Sequence, residues 1–237
     1  MVICVKIDFT GKKVLITGAS RGIGRQIADD MKLLGAELIL TATKEELNYH
    51  CVDFLSGEST NKFIDFLSKE KIDICINNAG INKISSICDT DIRDWDDILQ
   101  VNLSAPFKIL KTVATGMKRR KYGRIINISS IWGTISKEQR ASYSSSKFGL
   151  RGLTMASAAE LAKYNVLINA VSPGFTLTDL TKSILTETEM REICSQIPIE
   201  RMAEPSEISK VVLFLASDLN TYISGQNIVV DGGFVNV

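Results

Sequence analysis

Apolar positions fall into two rhythms along this chain. Short continuous runs at residues 14–16, 38–40, 72–76, 124–128, 166–171 and 227–230 have the length of strands buried on both faces. Between them, Ile23, Ile27, Met31 and Leu34 recur at helical spacing, as do Trp95, Ile98 and Leu99. Strands alternating with amphipathic helices predict βαβ units, hence a parallel sheet with helices on both faces. The predicted fold is one doubly wound α/β domain of the Rossmann type over residues 1–237.

One interval breaks the rhythm. The second strand ends near Thr41, and a third, His50-Cys51-Val52-Asp53, begins about eight residues later, below the ~10–12 of a crossover with its own helix. Extended at ~3.4 Å per residue, such a linker still runs back along a four-residue strand. The helix between strands two and three is therefore expected to be missing, or shortened to one turn around residues 44–47.

The first strand runs directly into Thr17-Gly18-Ala19-Ser20-Arg21-Gly22-Ile23-Gly24, which opens the first helix. Glycines there let the chain turn tightly and let a pyrophosphate approach the N–H groups at the helix start. The spacing G-x-x-x-G-x-G is a variant of the dinucleotide fingerprint, making Gly18, Ser20, Arg21, Gly22, Ile23 and Gly24 candidate cofactor contacts. An acidic residue at the end of the second strand would bond the ribose 2′-hydroxyl of NAD. This chain reads Thr41-Ala42-Thr43-Lys44 instead. With Arg21 and Lys44 close by, Thr41, Thr43 and Lys44 favour NADP(H) over NAD(H), while Glu45 and Glu46 pull the other way. Asn77-Asn78-Ala79-Gly80 follows the fourth strand, at the sheet edge where open α/β sheets bind ligands, and is expected to wall the same cleft.

Tyr143 and Lys147 stand four apart, on one face of a helix. With five tyrosines in the chain, one such spacing has roughly even odds of arising by accident. Ser130 changes its weight, because it ends an apolar strand and so lies at the same sheet edge as the glycine loop. Carbonyl reduction needs an acid for the developing alkoxide, and a free phenol titrates near ~10. A lysine ammonium about 5 Å away at an effective dielectric of ~20 contributes ~3 kcal/mol, roughly two pKa units. The pair is expected to bring the phenol into working range.

Composition then removes alternatives. A single histidine, His50, excludes a histidine-cluster metal site and leaves no other histidine for a Ser-His-Asp arrangement, so no metal is expected. The 28 Lys+Arg against 27 Asp+Glu give a net charge of +1, without the basic excess that nucleic acid or a membrane surface requires. The five cysteines, at 4, 51, 75, 88 and 194, are odd in number and lack C-x-x-C spacing, which reads as reduced thiols. The apolar start at residues 2–5 falls short of the ~7–15 residues of a signal-peptide core, and no run approaches the ~20 of a membrane span. A soluble, cytoplasmic protein is expected.

In their order along the chain, Thr17 to Gly24, Asn77 to Gly80, Asn102, Ser130, Tyr143, Lys147, Pro173-Gly174 with Thr178, and the closing Val230-Asp231-Gly232-Gly233-Phe234 resemble the short-chain dehydrogenase/reductase family. The resemblance implies hydride transfer between a nicotinamide and a carbonyl or alcohol. Tyr143 would be the general acid/base, Ser130 would orient the carbonyl, and Lys147 would hold the nicotinamide ribose and lower the Tyr143 pKa. Asn102 would anchor a water in a proton relay. Val52 and Asp53 would sit beside the adenine, and Asn77, Ala79 and Gly80 on the adenosine ribose side. Pro173, Gly174 and Thr178 would face the nicotinamide. Residues 175–198 match the variable substrate lid, with Leu177, Leu180 and Ile184 on it.

The helix at 142–162 carries Gly149, Gly152, Ala156, Ser157, Ala158 and Ala159 away from the catalytic pair, and the family uses it in a four-helix contact. A homotetramer, or a dimer, is implied. Within the family the chain is most similar to 3-oxoacyl-[acyl-carrier-protein] reductases, on Thr41-Ala42-Thr43, Gly123-Arg124-Ile125-Ile126 and Pro173-Gly174-Phe175 with Thr178-Asp179. Lys118-Arg119-Arg120-Lys121 would then meet an acidic carrier, with Lys121 where the family places a docking arginine. At the second docking position the chain departs, with Tyr164 beside Lys163. A reductase of sugars or other small polar carbonyls is the alternative, and a cofactor-binding regulator without turnover a third.

Overall fold

The central strands are mostly apolar on both faces, and that decides the architecture. The computed structural model describes residues 6–237, without the side chains of Leu180 and Ile184; Cys4 and the apolar start at residues 2–5 lie outside the described residues. The described strands are β1 (Lys13–Ile16), β2 (Glu37–Ala42), β3 (His50–Cys51), β4 (Ile74–Asn77), β5 (Gly123–Ile128), β6 (Val166–Pro173) and β7 (Asn227–Val230). They form one sheet in the order β3-β2-β1-β4-β5-β6-β7, with every pairing parallel. The helices are α1 (Gly22–Leu33), α2 (Gly57–Leu67), α3 (Ile92–Leu99), α4 (Ala105–Arg120), α5 (Ala141–Leu161), α6 (Asp179–Ile184), α7 (Glu187–Ser195) and α8 (Pro205–Ala216). The doubly wound fold read from the sequence is the one observed.

Alternate residues of the strands feed two cores. Leu15, Cys75, Ile125 and Ile168 pack with Phe63, Ile109, Val113 and Ala158, from α2, α4 and α5. Val14, Ile16, Ile74, Ile76 and Ile126 pack with Ile27, Met31, Ile208 and Val212, from α1 and α8. Burying one such side chain contributes about 1.5–3 kcal/mol, so the carboxyl ends of β1, β4 and β5 form a stiff base for a site.

Residues 43–49 contain no helix. They turn once, with Tyr49 N donating to Glu46 O at 3.1 Å, before β3 begins. The cost shows on β2: Ile39, on the α2/α4 face, is buried, while Leu38 and Leu40, on the α1 face, are only half-buried. Leu38, Leu40 and Tyr49 pack at the margin of the α1/α8 core, and Leu47 stands 86% exposed. β3 is shorter than expected because Asp53 turns the chain, its Oδ1 accepting from Leu55 N at 2.9 Å.

The expected small-residue face of α5 needs correction. Ser157 and Ala158 are buried within the chain, and a Cβ at Gly149 would lie 2.8 Å from Leu103 Cδ2. The exposed stripe is Phe148, Gly152, Met155, Ala156 and Ala159. The basic run is also altered. Arg120 pairs with Asp73 at 3.6 Å and bonds Ile72 O, leaving Lys118, Arg119 and Lys121 exposed.

Candidate active site

The loops after β1 and β4 are bonded into one wall. Thr17 Oγ1 accepts from Asn78 N and Ala79 N, both at 3.0 Å. Asn78 Nδ2 donates to Thr17 O and Gly18 O, both at 2.9 Å. A Cβ at Gly24 would fall 2.4 Å from Gly18 O and 2.3 Å from Asn78 Nδ2, so only glycine lets α1 start this close. Gly24→Ala is therefore expected to break the wall, costing about 1–3 kcal/mol of stability and weakening dinucleotide binding at least tenfold. Thermal denaturation and NADPH titration check both effects. Asn78 was not among the candidate residues; its double reach shows only in three dimensions.

Two candidates take other roles here. Thr41 is buried, and its hydroxyl accepts from Gly18 N at 3.1 Å, so it positions the glycine loop. Asn77 lies inside the sheet, its Nδ2 donating to Asn127 Oδ1 at 2.8 Å, not in the cleft wall. Asn127 in turn donates to Thr154 Oγ1 at 2.8 Å, tying β4 through β5 to α5.

What remains suits a dinucleotide. No side chain caps α1, so its first N–H groups are open to an anion. Gly22, at φ 57°, lies within 3.3 Å of Thr178 Cγ2 for a Cβ built on it, so the glycine loop and the start of α6 share the cleft. Ser20 and Ile23 flank that start, half-buried, and Ala79 faces Gly18. Arg21, Thr43 and Lys44 are exposed at the rim, and Arg21 and Lys44 have no ion-pair partner among the described residues. Val52 is buried and Asp53 exposed at the end of β3. Tyr49 donates to Ala19 O at 3.3 Å, bracing the loop from the short crossover.

The proton-handling groups gather at the carboxyl end of β5. Ser130 is buried and accepts from Trp132 N at 3.2 Å. Lys147 is buried, donates from Nζ to Ile128 O at 2.9 Å, and lies 5.6 Å from the centre of the Tyr143 ring. A Cβ at Gly80 would sit 3.6 Å from Lys147 Nζ and 3.3 Å from Asn102 Oδ1. Asn102 projects from a π-helical turn, Gln100–Ser104. Its Oδ1 accepts from Ile81 N at 2.9 Å, and its Nδ2 donates to Ile81 O at 2.9 Å and Ser146 Oγ at 3.1 Å. Ser146 donates to Tyr143 O at 2.7 Å, so Asn102 links the loop after β4 to the Tyr143 turn of α5.

The electrostatics differ from the simple lysine–phenol pair. Burial pushes the Tyr143 phenol above its usual value, opposed by the facing Ser130 hydroxyl and by the Arg140 charge. Burial also drives the Lys147 ammonium down to about 8. The expected lowering of Tyr143 by Lys147 is not what this structure shows. Loss of water outweighs the charges around the phenol, among them that of Arg140, a residue the sequence reading passed over.

The far side of the cleft is built by β6 and the lid. Gly174 N donates to Val230 O at 2.9 Å, and a Cβ there would be 2.8 Å from Asp231 Cα, so β6 and β7 end closely packed after Pro173. Thr178 Oγ1 caps α6 by accepting from Thr181 N at 3.2 Å. Phe234 joins Phe175 and Trp132 edge-on, with ring centres at 5.3 and 6.3 Å. Leu180 and Ile184 lie outside the described side chains.

A glycine-loop cradle at a doubly wound sheet edge, facing buried Ser130 and Lys147 with half-buried Tyr143, defines a nicotinamide-dependent carbonyl/alcohol oxidoreductase. Residues 18–235 match the family model described as enoyl-(acyl carrier protein) reductase. The 3-oxoacyl-[acyl-carrier-protein] reductase FabG of Aquifex aeolicus (strain VF5) is 38% identical, over 97% of this chain and 99% of its own. The FabG of Escherichia coli (strain K12) is 36% identical, over 98% and 100%. Among solved structures, a gluconate 5-dehydrogenase from Burkholderia cenocepacia J2315, in complex with NADP and tartrate, superposes with a TM-score of 0.90 at 28% identity, covering 97% of each chain. The chain belongs to the short-chain dehydrogenase/reductase family.

Proposed function

We propose that this chain is an NADP(H)-dependent reductase of 3-oxoacyl thioesters, carried on an acyl carrier protein. The full-length identity to 3-oxoacyl-[acyl-carrier-protein] reductases carries that reading. When bound, NADPH supplies the hydride that adds to the carbonyl carbon, leaving NADP⁺. Tyr143 gives its proton to the carbonyl oxygen and regains one from solvent. Ser130 donates a hydrogen bond to that oxygen and fixes its place beside the phenol. Lys147 is placed to hold the ribose next to the nicotinamide, and Asn102 to anchor a relay water through Ile81. Pro173, Gly174 and Thr178 face the nicotinamide, Val52 and Asp53 the adenine, and residues 175–198 close over the substrate. NADPH consumption with acetoacetyl thioesters tests the reading; no turnover of them rejects it.

The unpaired Arg21 and Lys44 support NADP(H) over NAD(H). Lys44→Glu combined with Arg21→Glu is expected to reverse the preference, lowering NADPH affinity at least tenfold while leaving NADH within about threefold. Fluorescence titration of both cofactors decides it; an unchanged ratio removes these two cations from the phosphate site.

Phe148 and Met155 of α5 and Phe107 of α4 are 43%, 53% and 49% exposed. Such exposed apolar side chains support a homotetramer built across α4 and α5. Light scattering is expected to show a tetramer, and Phe148→Lys to dissociate it. Lys118 and Lys163 flank the Tyr164 ring at 4.7 and 5.4 Å, gathering the exposed cations into one basic face. Lys121 precedes β5 and Ser130 follows it, so that face and the catalytic serine lie about 20 Å apart along the strand. A carrier docked there serves a neighbouring subunit's site, which ties the carrier reading to the oligomer. The unpaired described cysteines, Cys51, Cys75, Cys88 and Cys194, fit a cytoplasmic enzyme. Reduction of a sugar or other small polar carbonyl is the second reading, favoured by the resemblance to the gluconate 5-dehydrogenase structure.

A further inference from the structure

Arg140 immediately precedes α5, three residues before Tyr143, and its side chain has no hydrogen-bond or ion-pair partner among the described residues. Its Nε is buried without a hydrogen bond, and none of its guanidinium nitrogens pairs with any described residue. Arg120 and Arg124 also leave Nε unpaired, but their terminal nitrogens bond backbone carbonyls. Arg201 is held by both carboxylate oxygens of Glu207. Arg140 alone of these four makes no such bond. Its guanidinium carbon lies 5.8 Å from the centre of the Trp132 ring, and Lys137 Nζ lies 5.5 Å from the same ring. Two cations thus border the residue that follows Ser130 by two, with no carboxylate paired to either.

The position itself opposes a positive charge. Arg140 occupies the N-terminal cap of a 21-residue helix whose first turn holds no acidic residue. Helix N-termini disfavour cations, and burying the Nε of a half-buried guanidinium without a partner is costly. Arg140 caps the helix that holds Tyr143, and the Trp132 whose ring it borders donates from its backbone N–H to Ser130 Oγ at 3.2 Å, so the group lies beside the catalytic pair. A planar fork with free donors matches a carboxylate through two parallel bonds.

We propose that Arg140 is an anion subsite beside the reacting carbonyl, and that this enzyme also turns over oxo acids, sugar acids included, whose carboxylate lies a few bonds from that carbonyl. The inference rests on the reductase reading above, with the same hydride and proton balance, and adds a substrate class that a neutral thioester does not represent.

The test compares NADPH consumption on acetoacetate and on ethyl acetoacetate, which differ in the charge. Wild type is expected to favour the acid by about tenfold in kcat/KM, Arg140→Gln to lose that preference, and Arg140→Lys to keep part of it. NADPH binding by each variant confirms its fold. A wild-type ratio near one, or a ratio unmoved by Arg140→Gln, overturns the proposal. Malonate titrated calorimetrically gives a reading without turnover: binding is expected in wild type and about tenfold weaker in Arg140→Gln. Equal malonate binding by both, or none by wild type, also overturns it. Acetoacetyl thioester separates the two readings. Thioester turnover without acid preference removes the subsite alone; malonate binding with no carbonyl turned over removes the reductase reading and keeps the subsite.

Discussion

Tyr143→Phe is expected to lower kcat/KM for carbonyl reduction by roughly 10²–10⁴-fold, the range that loss of a positioned proton donor produces. The ring fills the same space, so folding and NADPH affinity are expected to stay within about twofold of wild type. The phenol is held above its ordinary value by burial, so it stays protonated through neutral pH and is always ready to give its proton. Alcohol oxidation needs the opposite form, and its rate is expected to climb through the alkaline range. Initial rates in both directions across pH check the pair of effects. Residual reduction above a tenth of wild type would remove Tyr143 as the donor.

Lys147→Met is expected to split activity from stability. Catalysis falls by about 10²-fold or more, because the ammonium beside the phenol and Ile128 O is lost. Stability moves the other way at neutral pH. An unfolded lysine titrates near 10.5, and burial holds Lys147 at about 8. Below pH 8 both states carry the proton, and the folded state bears the full cost of a buried charge. Between about 8 and 10.5 the unfolded state binds more protons, so wild-type stability rises with pH relative to the variant. Above that window both are neutral. The relative rise is on the order of 3 kcal/mol. Urea denaturation of both proteins at pH 7, 8.5 and 10 measures it, and a constant difference between them contradicts the buried-charge origin.

Much of this was legible in the linear order of residues. Strands such as Ile125–Ile126 and Ile74–Ile76 are buried on both faces, so they appear as unbroken apolar runs. The missing crossover was a matter of chain length, which sequence states directly. Ser130, Tyr143 and Lys147 were found because a strand end and a helical spacing place them together. Less legible were side chains whose work depends on a distant partner. Asn77 and Asn78 are identical neighbours, yet one bonds Asn127 inside the sheet and the other clasps Gly18; only the pleat distinguishes them. Thr41 stood at the expected phosphate position, but a buried hydroxyl facing Gly18 N is claimed by the loop. The sign of the Tyr143 shift was missed because desolvation depends on everything packed around the ring. Arg140 was overlooked because an unpaired charge is visible only once every neighbour is known.

The half-covered face of β2 divides the molecule by cooperativity. Ser130 follows β5, a strand flanked on both sides, and Tyr143 and Lys147 stand on α5, which packs against that half of the sheet. β3 has two residues and a single neighbour, and Leu38 and Leu40 on the α1 side of β2 are only half-buried. Opening of that edge is a low-energy local event, governed by few apolar contacts. Ordering the adenosine end of a dinucleotide there draws on conformational entropy that the catalytic half never releases. Affinity for cofactor and precision of proton transfer can then change independently, because they reside in parts of the chain that unfold on different scales.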